Sequence, residues 1–364
     1  MGFRCGIIGL PNVGKSTIFN ALTAAGADVA NYPFCTIDPN IGIVPVPDER
    51  LEKIAQIIKP PKLTYTTIEF LDIAGLVKGA SQGEGLGNKF LGHIREVDAL
   101  VHIVRCFEHP SVVHIYGSVD PARDIDIINT ELIIADLETV EKRIAKVDRL
   151  AKTGDKFARK EFNTCLHIKD ILAKGTPARK INLHDDEEIT LRDLHLLTAK
   201  KILYVANVNE DQLKGNGTYI QQVESIAQME GSKAIGICGD LEAEICELPK
   251  EEQKEFLRDL NLQESGLQKL IREGYDLLGL ITFYTTVGTE LRAWTIPRGT
   301  HACAAAGKIH TDMEKGFIKA EIIHFHDFIR MGSLSSAKES GLIRFEGKDY
   351  TIADGDIAHF RFHV

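Results

Sequence analysis

The chain has 364 residues, of which 44% are hydrophobic and 26% charged, a composition typical of a folded globular protein. Its formal net charge of −9 argues against a surface adapted to nucleic acid throughout, although a local basic patch is compatible with it. The 7 cysteines include no C-x-x-C pair, which disfavours a disulfide framework or a zinc site and favours a reducing, cytoplasmic setting.

The first predicted element is a buried strand at residues 3–8. It opens the chain without a charged leader, and no apolar run reaches the ~18 residues of a membrane span, so we expect neither a secretory signal nor a membrane protein. The segment 9–17, GLPNVGKST, follows and matches G-x-x-x-x-G-K-[ST], and apolar residues then recur at helical spacing. A strand, a glycine loop and a helix in this order predict a phosphate-binding P-loop, whose N–H groups and helix N-terminus bind an anion. We expect Lys15 to reach the β- and γ-phosphates and the Ser16 hydroxyl to ligate Mg²⁺.

A D-x-x-G motif, Asp72 to Gly75, ends the next predicted strand. Before it the sequence predicts an irregular segment at 31–40, a short amphipathic helix at 48–58 and one strand at 63–71. At a strand end downstream of a P-loop, Asp72 can hold Mg²⁺ through water, and the Gly75 N–H can sense a γ-phosphate. The glycine-rich run at 79–87 favours a segment that changes order with the nucleotide, with a plain linker as the alternative.

A predicted helical hairpin interrupts the later strands. A strand at 99–107 precedes it, with His102 interpreted as a core residue rather than a metal ligand. The hairpin's seam repeats at spacings of 3 and 4: Ile133, Leu137, Val140, Ile144, Val147 and Ala151. Residues 142–160 contain eight basic and two acidic side chains, a balance of +6 that suits either a solvated face or RNA phosphates. Phe157 and Phe162 are assigned to the hairpin core.

Strand–helix alternation resumes after the hairpin, so the arm is an insertion in one nucleotide-binding domain. The predicted domains are residues 1–128 and 200–279 for that domain, 129–199 for the arm and 280–364 for a small mixed domain. The predicted strands and helices in this part are strands at 201–206, 233–238, 281–286, 290–296, 317–323 and 357–362, and helices at 218–229 and 241–247.

The motifs at 9–17, 31–40, 72–77, 83–91 and 207–210 together resemble the Obg-like ATPase (YchF) family of translation-factor-related P-loop GTPases, over essentially the whole chain. The resemblance implies an α/β fold: a P-loop NTPase G domain with a mostly parallel sheet and helices on both faces, an inserted α-helical coiled-coil hairpin, and a C-terminal ubiquitin-like (β-grasp, TGS) domain. It implies Ser16 and Thr36 as Mg²⁺ ligands and Gly75 on the γ-phosphate side, so that Lys15, Thr36 and Gly75 are the candidate catalytic residues. The candidate phosphate contacts are Asn12, Val13, Gly14, Lys15, Ser16 and Thr17.

The segment Asn207-Val208-Asn209-Glu210 occupies the place of the guanine-reading N-K-x-D motif. In that motif the Asp accepts hydrogen bonds from guanine N1–H and the 2-amino group. The longer Glu210 side chain cannot take the same position, so the guanine preference should be lost. Asn207 could pair with adenine N6 and N7, and the resemblance also implies ATP, with GTP weaker. A GTPase of the same fold is the alternative.

Leu76 follows the D-x-x-G motif where many GTPases have the glutamine that orients the attacking water. Leucine cannot form that hydrogen bond, so we expect slow intrinsic hydrolysis or a group supplied from elsewhere. Asn12 could help to hold a monovalent cation such as K⁺ near the phosphates, or it could only shape the loop.

The leading functional hypothesis is a nucleotide switch with ATPase activity. The resemblance implies the ribosome as partner, and we expect contact with ribosome or rRNA through the arm and the TGS-like domain, with no role for DNA or a membrane. A small-molecule kinase and a binding module with a merely structural nucleotide site are the alternatives. The D-x-x-G motif and residues 207–210 argue against the kinase, whereas Leu76 leaves the binding module open.

Overall fold

In the computed structural model the described residues are 3–25, 40–73, 86–213 and 217–363. The chain forms two six-stranded sheets and divides into two units, Phe3–Gly42 with Glu69–Leu270, and Ile43–Ile68 with Ile271–Val364. The strands are β1 Arg4–Ile8, β2 Ile41–Pro45, β3 Lys62–Thr64, β4 Thr67–Asp72, β5 Ala99–Arg105, β6 Lys201–Asn207, β7 Lys233–Ile237, β8 Leu280–Val287, β9 Glu290–Pro297, β10 Phe317–His324, β11 Arg344–Glu346 and β12 Asp356–Phe362. The helices are α1 Lys15–Ala25, α2 Glu49–Ile58, α3 Leu86–Glu96, α4 Pro121–Lys152, α5 Lys156–Ala173, α6 Asp185–Asp193, α7 Thr218–Met229, α8 Gly239–Glu247, α9 Lys250–Asp259, α10 Gly266–Leu277, α11 Ala302–Ile309, α12 Thr311–Lys315, α13 Phe325–Met331 and α14 Leu334–Glu339.

The first sheet has the strand order β2-β4-β1-β5-β6-β7. Strand β1 pairs in parallel with β4 and β5, and the parallel ladder continues through β6 to β7. All seven residues of β5 are buried, as expected for a parallel strand covered on both faces. This sheet confirms the predicted α/β class, and its parallel strands bring their carboxyl ends to one edge.

The helical arm consists of α4 and α5, joined by the short turn 153–155. A connection this short makes the two helices antiparallel neighbours. The predicted seam faces inward: Val140 is fully buried, and Leu137 and Ile144 pack against the same cluster as Ile168 and Leu172. Helix α4 runs without a break across position 128/129, where the sequence analysis places the start of the arm. The Asp120 carboxylate accepts the Arg123 N–H and caps the N-terminus of this helix.

The second sheet has the order β11-β10-β12-β8-β9-β3. Its neighbouring strands β8 and β9 form the predicted hairpin, which turns at Gly288 with φ 67°. Two short helices and β11 lie between β10 and β12, where the sequence predicts one helix. No element is assigned from the sequence to residues 250–277, where α9 and α10 lie, or to residues 302–315, where α11 and α12 lie.

The single strand predicted at 63–71 is wrong. The chain forms two strands separated by Tyr65 and Thr66, and these belong to different sheets, β3 beside β9 and β4 beside β1. The Thr66 hydroxyl hydrogen-bonds to the Thr295 hydroxyl, and the Thr66 carbonyl accepts the Val46 N–H at 2.9 Å. Both halves are rich in β-branched residues and no glycine or proline marks the break, so the pattern looks continuous.

Residues 43–68 therefore group with the C-terminal residues, not with the first part of the nucleotide domain as predicted. Helix α2 gives the reason, because Leu51 and Ile54 are fully buried in one cluster with Phe328. At the start of this helix the Tyr284 hydroxyl donates to Asp48 at 2.5 Å. The segment completes the core of the second unit. None of the described helices combines the length and apolar composition that crossing a bilayer requires.

His102 on β5 is buried, as predicted, with 1% of its surface exposed. Its ring lies 5.5 Å from that of Tyr204, and Nδ1 has no hydrogen-bond partner among the described residues. Burial lowers the pKa of this imidazole to about 3, with a smaller contribution from the Arg179 guanidinium. The folded protein therefore keeps His102 neutral at pH values where an exposed histidine is charged.

We expect His102 to make the fold sensitive to mild acid. Below about pH 6.5 the His102 side chain is protonated in the unfolded chain, whereas in the folded chain it stays neutral down to about pH 3. The free energy of unfolding therefore decreases as the pH falls from about 6.5 to about 3. Between pH 7.5 and 5.5 this site should cost about 1.4 kcal/mol. Between these two pH values the free energy of unfolding of His102→Leu, measured in urea, should fall by that amount less than that of the wild type. His167→Leu, at an exposed position on α5, is the control and should respond to pH as the wild type does. An unchanged pH response in His102→Leu would contradict the assignment.

Candidate nucleotide-binding site

The candidate site lies at the carboxyl edge of the first sheet. The P-loop follows Ile8 at the end of β1, and the register places Asp72 of β4 beside Ile7. On the other side Arg105 of β5 is the partner of Asn207 of β6. Parallel strands thus deliver the P-loop, the D-x-x-G carboxylate and the predicted base-reading segment to one edge, where ligands bind in open α/β sheets.

The P-loop closes tightly against its neighbours. A Cβ at Gly9 would lie 2.7 Å from the Ile103 carbonyl oxygen, so only glycine fits between the strand and this carbonyl. Gly14 has φ +86°, and a Cβ there would collide with the side-chain amide of Asn207. Helix α1 then begins at Lys15, and its N-terminus offers the unpaired N–H groups that favour an anion.

The Lys15 ammonium forms an ion pair with the Asp72 carboxylate. Their side chains are 10% and 20% exposed, so both groups lie at the floor of the site. Ser16 in the first turn of α1 is exposed, whereas Thr17 is half-buried. The structure thus brings together Lys15, Ser16 and Asp72, three residues selected from the sequence.

Asn207 links three segments of the site through its buried side chain. Its Nδ2 donates to the Val13 carbonyl at 2.9 Å, and its Oδ1 accepts the Gly239 N–H at 3.0 Å. The side chain therefore connects β6 to the P-loop and to the start of α8 and supports the loop structurally, a role that the sequence did not indicate. One hydrogen of Nδ2 and a lone pair of Oδ1 remain, so direct pairing with adenine stays a prediction.

Arg105 is a functional candidate that the sequence analysis missed. Its side chain is 2% exposed, and it donates to the carbonyls of Asn12 at 3.4 Å, Phe107 at 3.1 Å and Val112 at 2.8 Å. Burial lowers the pKa of this guanidinium, partly offset by the carboxylates of Asp124 and Glu108. A charged residue at the end of a strand that is apolar apart from His102 was the available signal.

Asn12 adds a second contact between the P-loop and the segment that follows β5. It adopts φ 62°, which is rare for a residue other than glycine, and its Nδ2 donates to the Val113 carbonyl at 3.1 Å. This is the contact expected if Asn12 shapes the loop.

The segment that replaces N-K-x-D presents Glu210 but not Val208 to solvent. Val208 is 2% exposed, and its N–H donates to the Ile237 carbonyl at 2.8 Å. Glu210 is exposed at the start of a 3-10 helix. It lines a cleft of about 550 Å³ together with Asn209, Asp211, Leu213, Asp259, Leu260, Asn261 and Leu262.

Thr36, Gly75 and Leu76, and most of the glycine-rich run, lie outside the described residues. Within the described ranges no three His, Cys, Asp or Glu side chains are grouped so as to hold a metal ion.

Comparison with known proteins gives agreement over the whole chain. A family model described as "50S ribosome-binding GTPase" matches residues 4–139, and YchF-GTPase_C, described as "Protein of unknown function (DUF933)", matches residues 280–363. The chain is 53% identical to "Ribosome-binding ATPase YchF" of Pasteurella multocida and 51% identical to the protein of that name in Bacillus subtilis, with 100% of each chain covered. The solved structure of the Schizosaccharomyces pombe YchF GTPase matches with a TM-score of 0.90 and 37% identity, over 99% of this chain and 98% of that one.

We expect Asn207→Ala to weaken nucleoside triphosphate binding about tenfold, because losing buried hydrogen-bond partners costs about 1–3 kcal/mol. If Asn207 only supports the P-loop, the affinities for ATP and GTP should decrease by the same factor, since both nucleotides use the same phosphate-binding loop. Titration with fluorescent analogues of both nucleotides measures this. Asn163→Ala, at an exposed position on α5, is the control. A loss confined to ATP would show instead that Asn207 reads the base.

Proposed function

The chain belongs to the YchF family, and we propose that it is a nucleotide-dependent switch that binds and hydrolyses ATP and associates with the ribosome. The observation that carries the proposal is the P-loop with Lys15 paired to Asp72 at the carboxyl edge of a parallel sheet. This arrangement suits a triphosphate because it combines a helix N-terminus with the Lys15 ammonium, which phosphates can attract away from the Asp72 carboxylate. The names of the relatives motivate ATP and the ribosome.

Phosphate binding would rearrange the Lys15–Asp72 pair. The β- and γ-phosphates compete for the ammonium, and the carboxylate released from it can then hold a hydrated cation. The exposed Ser16 hydroxyl and the Asp72 carboxylate are hard oxygen donors of the kind that Mg²⁺ prefers. Mg²⁺ bound there would neutralise charge on the β- and γ-phosphates. Following the family resemblance, Thr36 would be the second protein ligand, and the Gly75 N–H would contact the γ-phosphate.

We infer ATP rather than GTP from the segment 207–210. Guanine recognition needs an Asp placed to accept two hydrogen bonds, and here the longer, exposed Glu210 stands in its place. Val208 occupies the position of the lysine in N-K-x-D, and this buried apolar side chain provides no positive charge there. A GTPase is the second candidate, because the S. pombe relative, which shares this fold, is called a GTPase.

Hydrolysis should be slow without a partner. Leu76 supplies no hydrogen bond to orient water, so turnover depends on a group from elsewhere. Binding to the ribosome would place the protein in the cytoplasm. The basic arm and the C-terminal domain, for which a TGS-like fold is expected, are the proposed contact regions, and neither a membrane nor DNA is needed.

The test of base choice is calorimetric titration with non-hydrolysable ATP and GTP analogues in the presence of Mg²⁺. We expect the wild type to bind the ATP analogue more tightly. Glu210→Asp should shift the ratio of the two Kd values toward GTP by about tenfold, since a hydrogen bond to a charged group is worth about 1.5–3 kcal/mol. Asp211→Glu makes the opposite change of length at the adjacent exposed carboxylate and should leave the ratio unchanged. Tighter GTP binding by the wild type would make the GTPase the correct function.

The role of Asn12 predicts the response to monovalent cations. Its Nδ2 donates to the Val113 carbonyl, which is a loop-shaping contact, whereas K⁺ would be held by the Oδ1 atom, so the two roles can be tested separately; we expect the loop-shaping role alone. Phosphate release in K⁺ and in Na⁺ at equal ionic strength should then be equal within about a factor of two, a difference too small to indicate a missing ligand. Turnover that is tenfold faster in K⁺ would establish a cation site and return Asn12 to its ligand set.

A further inference from the structure

The tip of the helical arm carries the most exposed large hydrophobic side chain among the described residues. Phe157, in the first turn of α5, is 88% exposed, and Leu150, in the last turns of α4, is 58% exposed. The expectation that Phe157 belongs to the hairpin core is therefore wrong. The buried residues nearest to the arm tip in the two helices are Val147 and Ala158, which are 6% and 8% exposed.

Hydrogen bonds at the arm tip hold the backbone around Phe157 in place. Asp155 caps α5 by accepting the Ala158 N–H at 2.9 Å, and the Thr153 hydroxyl donates to the Leu150 carbonyl at 2.8 Å. Below the turn, Arg143 Nε donates to Glu161 at 2.5 Å and joins the two helices. Phe157 is held in an exposed position by ordered backbone, so a partner that covers it gains apolar contact without ordering the loop.

Seven of the eight basic residues at 142–160 fall into two groups, and the eighth, Lys160, also has an interaction partner. Three of them form ion pairs within the arm: Lys142 with Glu138, Arg143 with Glu161, and Lys152 with Asp148. Four exposed ones have no carboxylate partner among the described residues: Lys146, Arg149, Lys156 and Arg159. These four cations are available to an external anion.

The charge balance favours a polyanion as the partner. Residues 142–160 carry +6 in a chain of net −9, which leaves −15 for the remainder. A nucleic acid is therefore attracted to the arm and repelled by most of the rest of the chain. An exposed aromatic ring among cations is the combination with which proteins bind unpaired bases, since the ring stacks on the base while the cations contact phosphates.

We propose that the arm tip is an RNA-binding surface in which Phe157 stacks on an unpaired base while Lys146, Arg149, Lys156 and Arg159 contact the neighbouring phosphates. The proposal rests on the proposed ribosome association and specifies the partner as a single-stranded or looped segment of RNA. A base in a duplex is already stacked and is not available to Phe157, so duplex RNA should bind more weakly.

The test uses the full-length protein, a fluorescein-labelled single-stranded RNA of mixed sequence, and ribosome pelleting. Phe157→Ala should weaken binding to the RNA about tenfold, with the salt dependence unchanged, because it removes stacking and no charge. Phe157→Trp should keep wild-type affinity. The double variant Lys156→Gln/Arg159→Gln should reduce the slope of log K against log salt by about 1.4, which corresponds to two phosphate contacts on a single strand.

Met229→Ala is the matched control, since Met229 is 73% exposed and lies on α7 of the same unit. It should bind as the wild type does, and ATP hydrolysis without ribosomes should be unchanged in all the arm variants. Wild-type RNA affinity in Phe157→Ala would overturn the proposal. So would a loss of ribosome pelleting with RNA binding intact, because the tip would then meet an acidic protein surface. If the wild type binds RNA through Phe157 but does not pellet with ribosomes, the arm assignment stands and the proposed ribosome association falls.

Discussion

The nucleotide site depends on one buried amide. The P-loop is a backbone structure, and its N–H groups can converge on a phosphate only while the loop keeps its shape. Asn207 fixes that shape by bonding the Val13 carbonyl and the Gly239 N–H, so that β6 and α8 hold a loop that begins nearly two hundred residues earlier. The same contact explains Gly14, since a side chain there would occupy the position of the Asn207 amide. A residue selected from the sequence as a base reader is thus also a structural support.

The P-loop, the D-x-x-G motif and the base-reading segment could be predicted because each has a local pattern: glycines at fixed spacing, a carboxylate at a strand end, an asparagine after a buried strand. Parallel pairing then forces them to one edge. Contacts between distant segments leave no local pattern. The role of Arg105 depends on which carbonyls face it, and nothing near position 105 identifies Asn12 as one of them.

The same reasoning explains the errors outside the site. Residues 62–72 have the composition of a single strand, and only the pairing of β3 with β9 and of β4 with β1 separates them. Phe157 follows the apolar spacing of a helix, but it stands one position before the buried Ala158 and therefore points away from the seam. Helical periodicity predicts that a buried face exists, whereas a shift of one residue decides which side chains form it.

The arm is joined to the phosphate loop through contacts within a single unit. Asn12 bonds the Val113 carbonyl, and at the next residue His114 Nε2 lies 2.8 Å from the carboxylate of Asp124, which belongs to the first turn of α4. Both side chains of that pair are nearly fully buried, so the segment between β5 and the arm cannot shift without breaking it.

A second buried contact reaches the same helix. Arg179 donates to Asn129 of α4 at 3.1 Å and pairs with Glu230 at 2.7 Å, and Tyr204 of β6 also donates to Glu230. A displacement of the P-loop is therefore resisted or transmitted, rather than absorbed, at the start of α4. Because α4 is one uninterrupted helix of 32 residues, a small change of angle at its base becomes a movement of several ångströms at the tip, about 45 Å away at 1.5 Å per residue. A continuous path of contacts therefore runs from Asn12 in the P-loop to the base of α4, the helix that leads into the turn before Phe157.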